Sequence, residues 1–396
     1  MTGPGAPAGP QLIRAMNEQL VLGLIRRAGT LSRADVARMS GLSKPTVSLA
    51  LTNMERAGLV RPAGTRTGVP GPAAVLYEVR PSVGNVLALD VGSRFLRGAI
   101  CDLAGTIRAN ATLPVESATG PQRVAELVRL AEKLYAEADI KRSDITQTVL
   151  GSPGVFDPRR NALILAPALP GWEEPTVLSQ LRAAFGSSLM VENDIDAAAL
   201  AEQAHGHGRG VESFAFLSVG AGIGMGLVLG GRLHRGARGA AGEIGYLPFG
   251  DEPRRTRDAR RFGHFEAGAS AAGILRAARQ AGMRRPISAR NVFAAAARGD
   301  ERASQVVAHE SVLIAQAVCA VAAVVDPELV VLGGGIGQAT GLLDAVRHEL
   351  RTLTPIQPEL RASALGDNAV VDGCLAAGID RAWEIIIAAI HGPDNA

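Results

Sequence analysis

Between residues 17 and 29 the apolar positions fall three and four apart. In NEQLVLGLIRRAG, Val21, Leu24, Ile25 and Ala28 share one face of a helix, and Gly29 closes it. SRADVARMSG follows, with Ser32 three residues ahead of Asp35 as in an N-cap and Gly41 at its end, which predicts a second helix of about two turns. In LSKPTVSLALTNMERAG, Ser43 is placed to cap, Pro45 sits in the first turn where its missing N–H costs nothing, and Val47, Leu51 and Met54 line one face. Three helices joined by short glycine-containing turns predict a helix-turn-helix. LVRPAGTRTGVPGPAAVLYEV then predicts two strands around a Gly/Pro-rich tip, the hairpin of a wing. From NVLALDVG onward the pattern changes to strands with intervening helices. FLRGAICDL and TIRANATLPV are neighbouring strands, RVAELVRLAEKLYAEA a helix, TVLGSP and SSLMVEND further strands, FAFLSVGAGIGMGLVLGGRL a glycine hairpin and ELVVLGGGIG a strand running into a glycine turn.

The 396 residues are enough for two or three domains. Charge divides them unevenly. Residues 1–80 hold ten Lys/Arg against four Asp/Glu, a net of +6, so the rest carries about −3 beneath the overall +3. A polyanion partner is therefore expected for the first part only. On a helix-turn-helix the candidates for the major groove are Ser43, Lys44, Thr46 and Ser48, with Val47 and Leu51 facing the core, and Arg61 and Arg66 reach phosphate or minor groove from the wing. No run approaches 18 consecutive apolar residues, and the first ten residues lack the pattern of a secretory leader, so a protein of the cytoplasm and nucleoid, with no membrane partner, is expected. The three cysteines are far apart in apolar surroundings and predict neither disulfide nor metal cluster. The Ala- and Val-rich helix around residues 302–325 suits either a dimer surface or the core.

VENDIDAAALAE, residues 191–202, carries the candidate chemistry. A strand ending in Asn193 and Asp194 exposes an amide and a carboxylate beyond a sheet edge, where open α/β sheets bind ligands. Three readings fit these residues: a catalytic base with its helper, a pair that grips a polar ligand, or a helix N-cap in which Asp194 or Asp196 accepts backbone N–H groups.

GLSKPTVS, VENDIDAAALAE and GRLHRGARGAAGEIGYL together resemble the ROK family of bacterial sugar kinases and sugar-responsive repressors, and the likeness runs through VLGGGIG to the last helix. It implies an α/β bilobal fold of the actin and hexokinase type preceded by a winged helix-turn-helix. The divisions expected are 1–80 for DNA binding, 82–194 for the first lobe with a helix at about 375–396 returning to it, and 195–374 for the second lobe. It also implies a sugar site. Asn193 and Asp194 match the family's sugar-binding amide and carboxylate, the latter being the base in its kinases. Glu243 and Glu266 match acids that accept hydrogen bonds from ring hydroxyls, and Gly154 lies where the backbone passes close to the sugar. Tyr246 stands where the family often has a histidine, and Ala168 where it often has an asparagine.

The departures set the expected function. The first phosphate loop reads DVGSR, with Ser93 in place of a glycine and Arg94 in place of a threonine, and the second reads GAGIG, with Ala221 where a hydroxyl would be. Each lost hydrogen bond weakens nucleotide binding by roughly 1–3 kcal/mol. The family's zinc positions fall on Tyr246, Arg257, Ala259 and His264, too few donors for a tetrahedral site. Hence neither zinc nor ATP is expected as a cofactor, His264 is expected at a hinge or beside the ligand, and Arg235 and Arg238 could meet a phosphorylated sugar. The expectation is a sugar-responsive, operator-binding regulator, a repressor of carbohydrate genes acting as a homodimer or homotetramer, with an ATP-dependent sugar kinase carrying a DNA-binding domain as the alternative.

Overall fold

The computed structural model describes residues 10–66, 73–249, 256–284 and 288–390. The N-terminal unit comprises α1 (Pro10–Ala28), β1 (Leu31–Ser32), α2 (Arg33–Ser40), α3 (Lys44–Arg56), β2 (Val60–Arg66) and β3 (Ala74–Val79). Ser32 accepts the N–H of Asp35 while the Asp35 carboxylate takes the N–H of Ser32, a reciprocal cap that fixes the start of α2. Gly41 ends α2 in the left-handed conformation, at φ 71°. Ser43 caps α3 and Pro45 sits in its first turn, while Val47, Leu51 and Met54 are fully buried. β2 and β3 pair antiparallel with β1 on the far side of β3, a three-stranded wing whose tip, residues 67–72, lies outside the described residues. α1 begins earlier than the apolar spacing predicts, because Ile13, Met16 and Leu20 lie on a face no core covers and periodicity toward a core cannot announce them.

Two five-stranded sheets follow. The first contains β4 (Asn85–Val91), β5 (Phe95–Asp102), β6 (Ile107–Pro114), β7 (Ile145–Ser152) and β10 (Met190–Asn193), in the order β10-β7-β4-β5-β6. Helices α4 (Gly120–Ala138) and α5 (Pro175–Phe185) cover one face, and a hairpin of β8 (Val155–Asp157) and β9 (Ala162–Ile164) leaves its edge. α6 (Asp194–His205) leads to the second sheet, made of β11 (Phe214–Val219), β12 (Ile223–Leu229), β13 (Arg232–Leu233), β14 (Leu329–Gly333) and β15 (Glu359–Ala362), in the order β13-β12-β11-β14-β15. Helices α7 (Arg257–Phe262), α8 (His264–Ala269), α9 (Ala271–Gln280), α10 (Ala289–Ala297), α11 (Glu301–Val325), α12 (Gly334–Gly337) and α13 (Leu342–Leu353) belong to this half, and α14 (Ala369–Ile390) ends the described chain.

Both sheets have one plan. An antiparallel meander supplies three strands, and two further strands add in parallel on the side of the first. The repeat places the turn between β4 and β5 and the turn between β11 and β12 at equivalent points of the two lobes. The C-terminal ends of β7, β10 and β14 open into the crevice where such sheets bind ligands.

α14 starts at Ala369 and lies on β4, β7 and α6, with Val371, Cys374, Leu375, Ala382, Trp383 and Ile387 buried. The cluster that holds them runs without a break into Val21, Leu22 and Ile25 of α1 and Val60 of the wing. Arg26 adds an ion pair to Asp380 at 2.8 Å and stacks over the Trp383 ring. A shared apolar core therefore joins the winged helix to the first lobe.

α11 is long and apolar enough to cross a membrane by composition, but most of its apolar length is core: Ala303, Val306, Leu313, Ile314, Ala317, Val318 and Val321 are buried in the second lobe.

Candidate functional site

Asn193 ends β10, and its side chain decides the local geometry. Its Oδ1 accepts the N–H groups of Ile195 at 2.9 Å and Asp196 at 3.1 Å, so Asn193, rather than Asp194 or Asp196, is the N-cap of α6. Its Nδ2 donates to the Gly154 carbonyl at 2.8 Å, tying the loop after β7 to the start of α6. Gly154 has φ 75°, and a Cβ there would come within 2.5 Å of the Ile164 carbonyl, so only glycine fits. One amide N–H of Asn193 is left for a ligand.

Capping by Asn193 holds Asp194 at the mouth of a cavity of about 450 Å³ between the lobes. Gly154, Asn193, Asp194, Glu243, Tyr246 and Glu266, expected from the sequence to stand together, all line it, as do Ala168, Ser93 and Ala221. Glu243 follows Gly242, whose φ is 85° and whose Cβ would collide with the Met225 carbonyl at 1.7 Å, so the turn presses against β12 and presents Glu243 inward. Glu266, on α8, accepts the N–H of Ile223 at 2.8 Å. That bond and the close approach of Gly222 fix its carboxylate beside the second glycine turn.

Burial raises the proton affinity of the carboxylates, and Asp194 adds to it at its neighbours. Burial pushes Asp194 up to about 6, against the bond from Ile195 N–H. Burial, then the charges of Asp194 and Glu266, push Glu243 up to about 7. Glu266 is raised by burial and Asp194, opposed by Ile223 N–H. Asp90, at the end of β4, is raised to about 7 by burial and by Asp194, although Arg97 lies 3.4 Å away. Desolvation without cationic compensation favours the neutral form. A ligand offering hydroxyl donors would restore what burial removed.

The loops that would hold a phosphate are occupied otherwise. The Arg123 guanidinium donates to the Gly92 carbonyl at 2.8 Å and to Ser117, and pairs with Glu126 at 3.4 Å, clamping the turn after β4. Ser93 and Ala221 line the cavity; Arg94 is exposed and does not. Arg235, a candidate for phosphate in the sequence, is bound instead to the buried Glu192 by its Nε at 3.0 and 3.1 Å and by an Nη, a lobe-to-lobe bridge behind Asp194. Glu192 and Arg235 together with Asp196, which burial and Glu192 push up to about 8, form a charged cluster that the sequence motif conceals.

The zinc positions do not fit the metal. Arg257 and Ala259 lie on the short helix α7, which Thr256 caps. Tyr246 lines the cavity, and His264 Nδ1 is engaged by the Phe249 carbonyl at 2.6 Å, away from the cavity lining. One nitrogen donor cannot hold structural zinc.

A second cavity, about 690 Å³, adjoins the first. It shares Asp194, Ile195, Ser218, Gly334 and Gly335 with it and extends past Phe293, Gln338 and Ser363.

In the N-terminal unit, Lys44 is exposed at the start of α3 and Ser48 half-buried, while the Ser43 hydroxyl caps the Thr46 N–H and meets its Oγ1 at 2.7 Å. Arg61 pairs with Glu78 at 2.7 Å across the wing, and Arg66 with Asp35 of α2.

The ROK family model matches residues 86–378, and a MarR family model matches residues 17–68. A putative xylose repressor of Caldicellulosiruptor sp. (strain Rt8B.4) is 25% identical over 237 residues, 60% of this chain and 59% of that protein. The chain thus spans about three fifths of that relative. An N-acetylmannosamine kinase of Citrobacter koseri is 34% identical over 271 residues, 67% of this chain and 88% of the kinase. Among solved structures, a ROK family transcriptional regulator described as a homolog of the E. coli MLC protein superposes with a TM-score of 0.80 at 24% identity, over 96% of this chain and 98% of that one. At that identity the likeness speaks to the fold.

Proposed function

The chain belongs to the ROK family, and from that premise we propose that it is a transcription regulator, a repressor whose grip on operator DNA is set by a monosaccharide held between the lobes. The observation that carries this reading is the shared core: the helix that begins at Asp194 packs on α14, and the far end of α14 is buried with the DNA-binding helices.

Asp194, Glu243 and Glu266 accept hydrogen bonds from ring hydroxyls, the free N–H of Asn193 donates one, and Gly154 lets the sugar edge approach the backbone. Charge-assisted bonds of this kind contribute about 1.5–3 kcal/mol each. Glu243 and Glu266 come from the second lobe, Asn193 and Gly154 from the first, so a sugar that satisfies all of them favours a closed cleft. Closure moves α6, and α14 must follow, because Gly373 meets α6 so closely that a Cβ would lie 1.7 Å from the Ala197 carbonyl. The displacement reaches α1 through Trp383, Ile387 and the Arg26–Asp380 pair. A hundredfold change in operator affinity needs about 2.7 kcal/mol of coupling, within what one ligand supplies. In a dimer two winged helices would read half-sites a whole number of helical turns apart.

The test is operator affinity, by fluorescence anisotropy on a duplex selected by the protein, with and without a panel of neutral monosaccharides. A tenfold or greater change for one sugar supports the reading, and no change for any sugar defeats it. The kinase relative and the second cavity favour one other reading, an ATP-dependent sugar kinase with an attached DNA-binding domain. Arg123 clamping the first turn, with Ser93 and Ala221 at the phosphate positions, weighs against it. A coupled ATPase assay over the same sugars decides, since turnover near one per second would establish the enzyme.

A further inference from the structure

Of the polar side chains expected to read bases, Thr46 and Ser48 are half-buried, and the middle of the outward side of α3 is not polar. Val47, Ala50, Leu51 and Met54 fix the core side of α3. At 3.6 residues per turn the opposite side carries Pro45, Leu49 and Arg56, each exposed. Leu49 is central in that row and 52% exposed. The polar neighbours are partly committed, Ser43 and Thr46 to each other in the cap and Ser48 to a half-buried flank. Lys44 and Arg56, without ion-pair partners among the described residues, stand at the two ends of α3, spaced to meet phosphates while the row between them faces the groove.

An aliphatic side chain at the centre of a basic unit's outward helix face is out of place against water and phosphate. In the major groove the one apolar group on a base edge is the thymine 5-methyl. We propose that Leu49 is a specificity-determining residue that reads a thymine methyl in each operator half-site, with Lys44 and Arg56 setting the register. This rests on the DNA-binding reading above and adds the base to it. Leu49 also walls a shallow groove of about 180 Å³ with Ile13, Arg14 and Asn17 of α1, so a second copy of the chain seated there is the competing occupant. Charge favours DNA, since Arg14 lines the groove in a segment of net +6.

The experiment uses the intact protein and a duplex it selects from a random pool, with each thymine replaced in turn by uracil, which removes only the methyl. One replacement per half-site is expected to weaken binding on the order of fivefold, the contribution of one buried methyl. Leu49→Ala, which removes the contact from both half-sites, should lose that factor twice over on the thymine duplex and become indifferent to uracil, while Leu49→Met keeps part of the discrimination. Leu49 lies outside the core, so both variants should fold, which circular dichroism checks. If uracil costs Leu49→Ala as much as it costs the unaltered protein, the proposal fails. It fails equally if Leu49→Ala changes the sedimentation coefficient while leaving thymine dependence intact, the result expected of a contact between copies. Failure to select any duplex would instead overturn the regulator reading itself.

Discussion

The acids of the winged helix and the acids of the cleft live under opposite electrostatic conditions. Asp35 is hydrogen-bonded by the Ser32 hydroxyl, Arg66, Arg38 and the Ser32 N–H, which hold its carboxyl far below the usual range. Asp194, Glu243 and Glu266 are desolvated next to one another, and among the described residues no arginine or lysine bonds to them, so all three are raised. The first arrangement is complete and stabilises the fold. The second is incomplete, which disfavours the empty state and makes sense where something else supplies the donors. Between these two sets of acids, compensated charge marks structure and uncompensated buried charge marks the site.

Asp194→Asn breaks the comparison most directly. It keeps a side-chain oxygen for the Ile195 N–H and removes the carboxylate, so sugar affinity measured by titration calorimetry should fall about a hundredfold. The melting temperature of the unliganded variant should stay or rise, because a strained acid is gone. A variant that melts lower and binds sugar as before would place Asp194 among the structural acids. Glu266→Gln should cost about tenfold in the same titration, since the amide still accepts the Ile223 N–H but offers a weaker acceptor to a hydroxyl. On the other side of the comparison, Asp35→Ala should destabilise the protein by about 1 kcal/mol in urea unfolding through loss of the α2 cap. It should leave sugar affinity unchanged while weakening operator binding, as Arg66 loses its anchor.

The smallest effect is that of pH. Asp194 and Glu243 of the cleft, with the buried Asp90 and Asp196, have folded-state values of about 6 to 8, above their ordinary ones. The folded state thus holds protons that the unfolded chain releases, and their contribution to stability declines as pH rises from about 4 to about 8. Sugar hydroxyls favour the ionised forms, so affinity should rise several-fold between pH 5.5 and 8. Binding should also release protons, visible as a binding enthalpy that differs between buffers of different ionisation enthalpy. Affinity that falls over that interval would mean that the acids donate.

The N-terminal unit was legible because its signals are local. Ser32, Asp35, Gly41, Ser43 and Pro45 act within one or two turns, and all five hold the positions that the pattern predicts. The start of α1 was not legible, since Ile13 and Met16 face no core and leave no period to read. In the cleft, motif likeness assembled the carboxylates that the cavity brings together. The reading of the residues placed the candidate cap on Asp194 or Asp196, because which of three neighbours points back along the helix is not written in their order. It also left Arg235 free, because the Glu192 that claims it is 43 residues away in sequence and becomes its partner only when the second lobe folds against the first.

Likeness to a family's motifs supplied the set of carboxylates, and composition and spacing by themselves determined the order of elements and the separation of a basic N-terminal unit from an acidic body. These depend on backbone preference and side-chain period, which act over a few residues. Tertiary structure alone decided which charges are paired and which are left bare, that the winged helix shares a core with α14, and which side of α3 is open. Each of these depends on atoms that are distant along the chain and meet only when water is excluded between them.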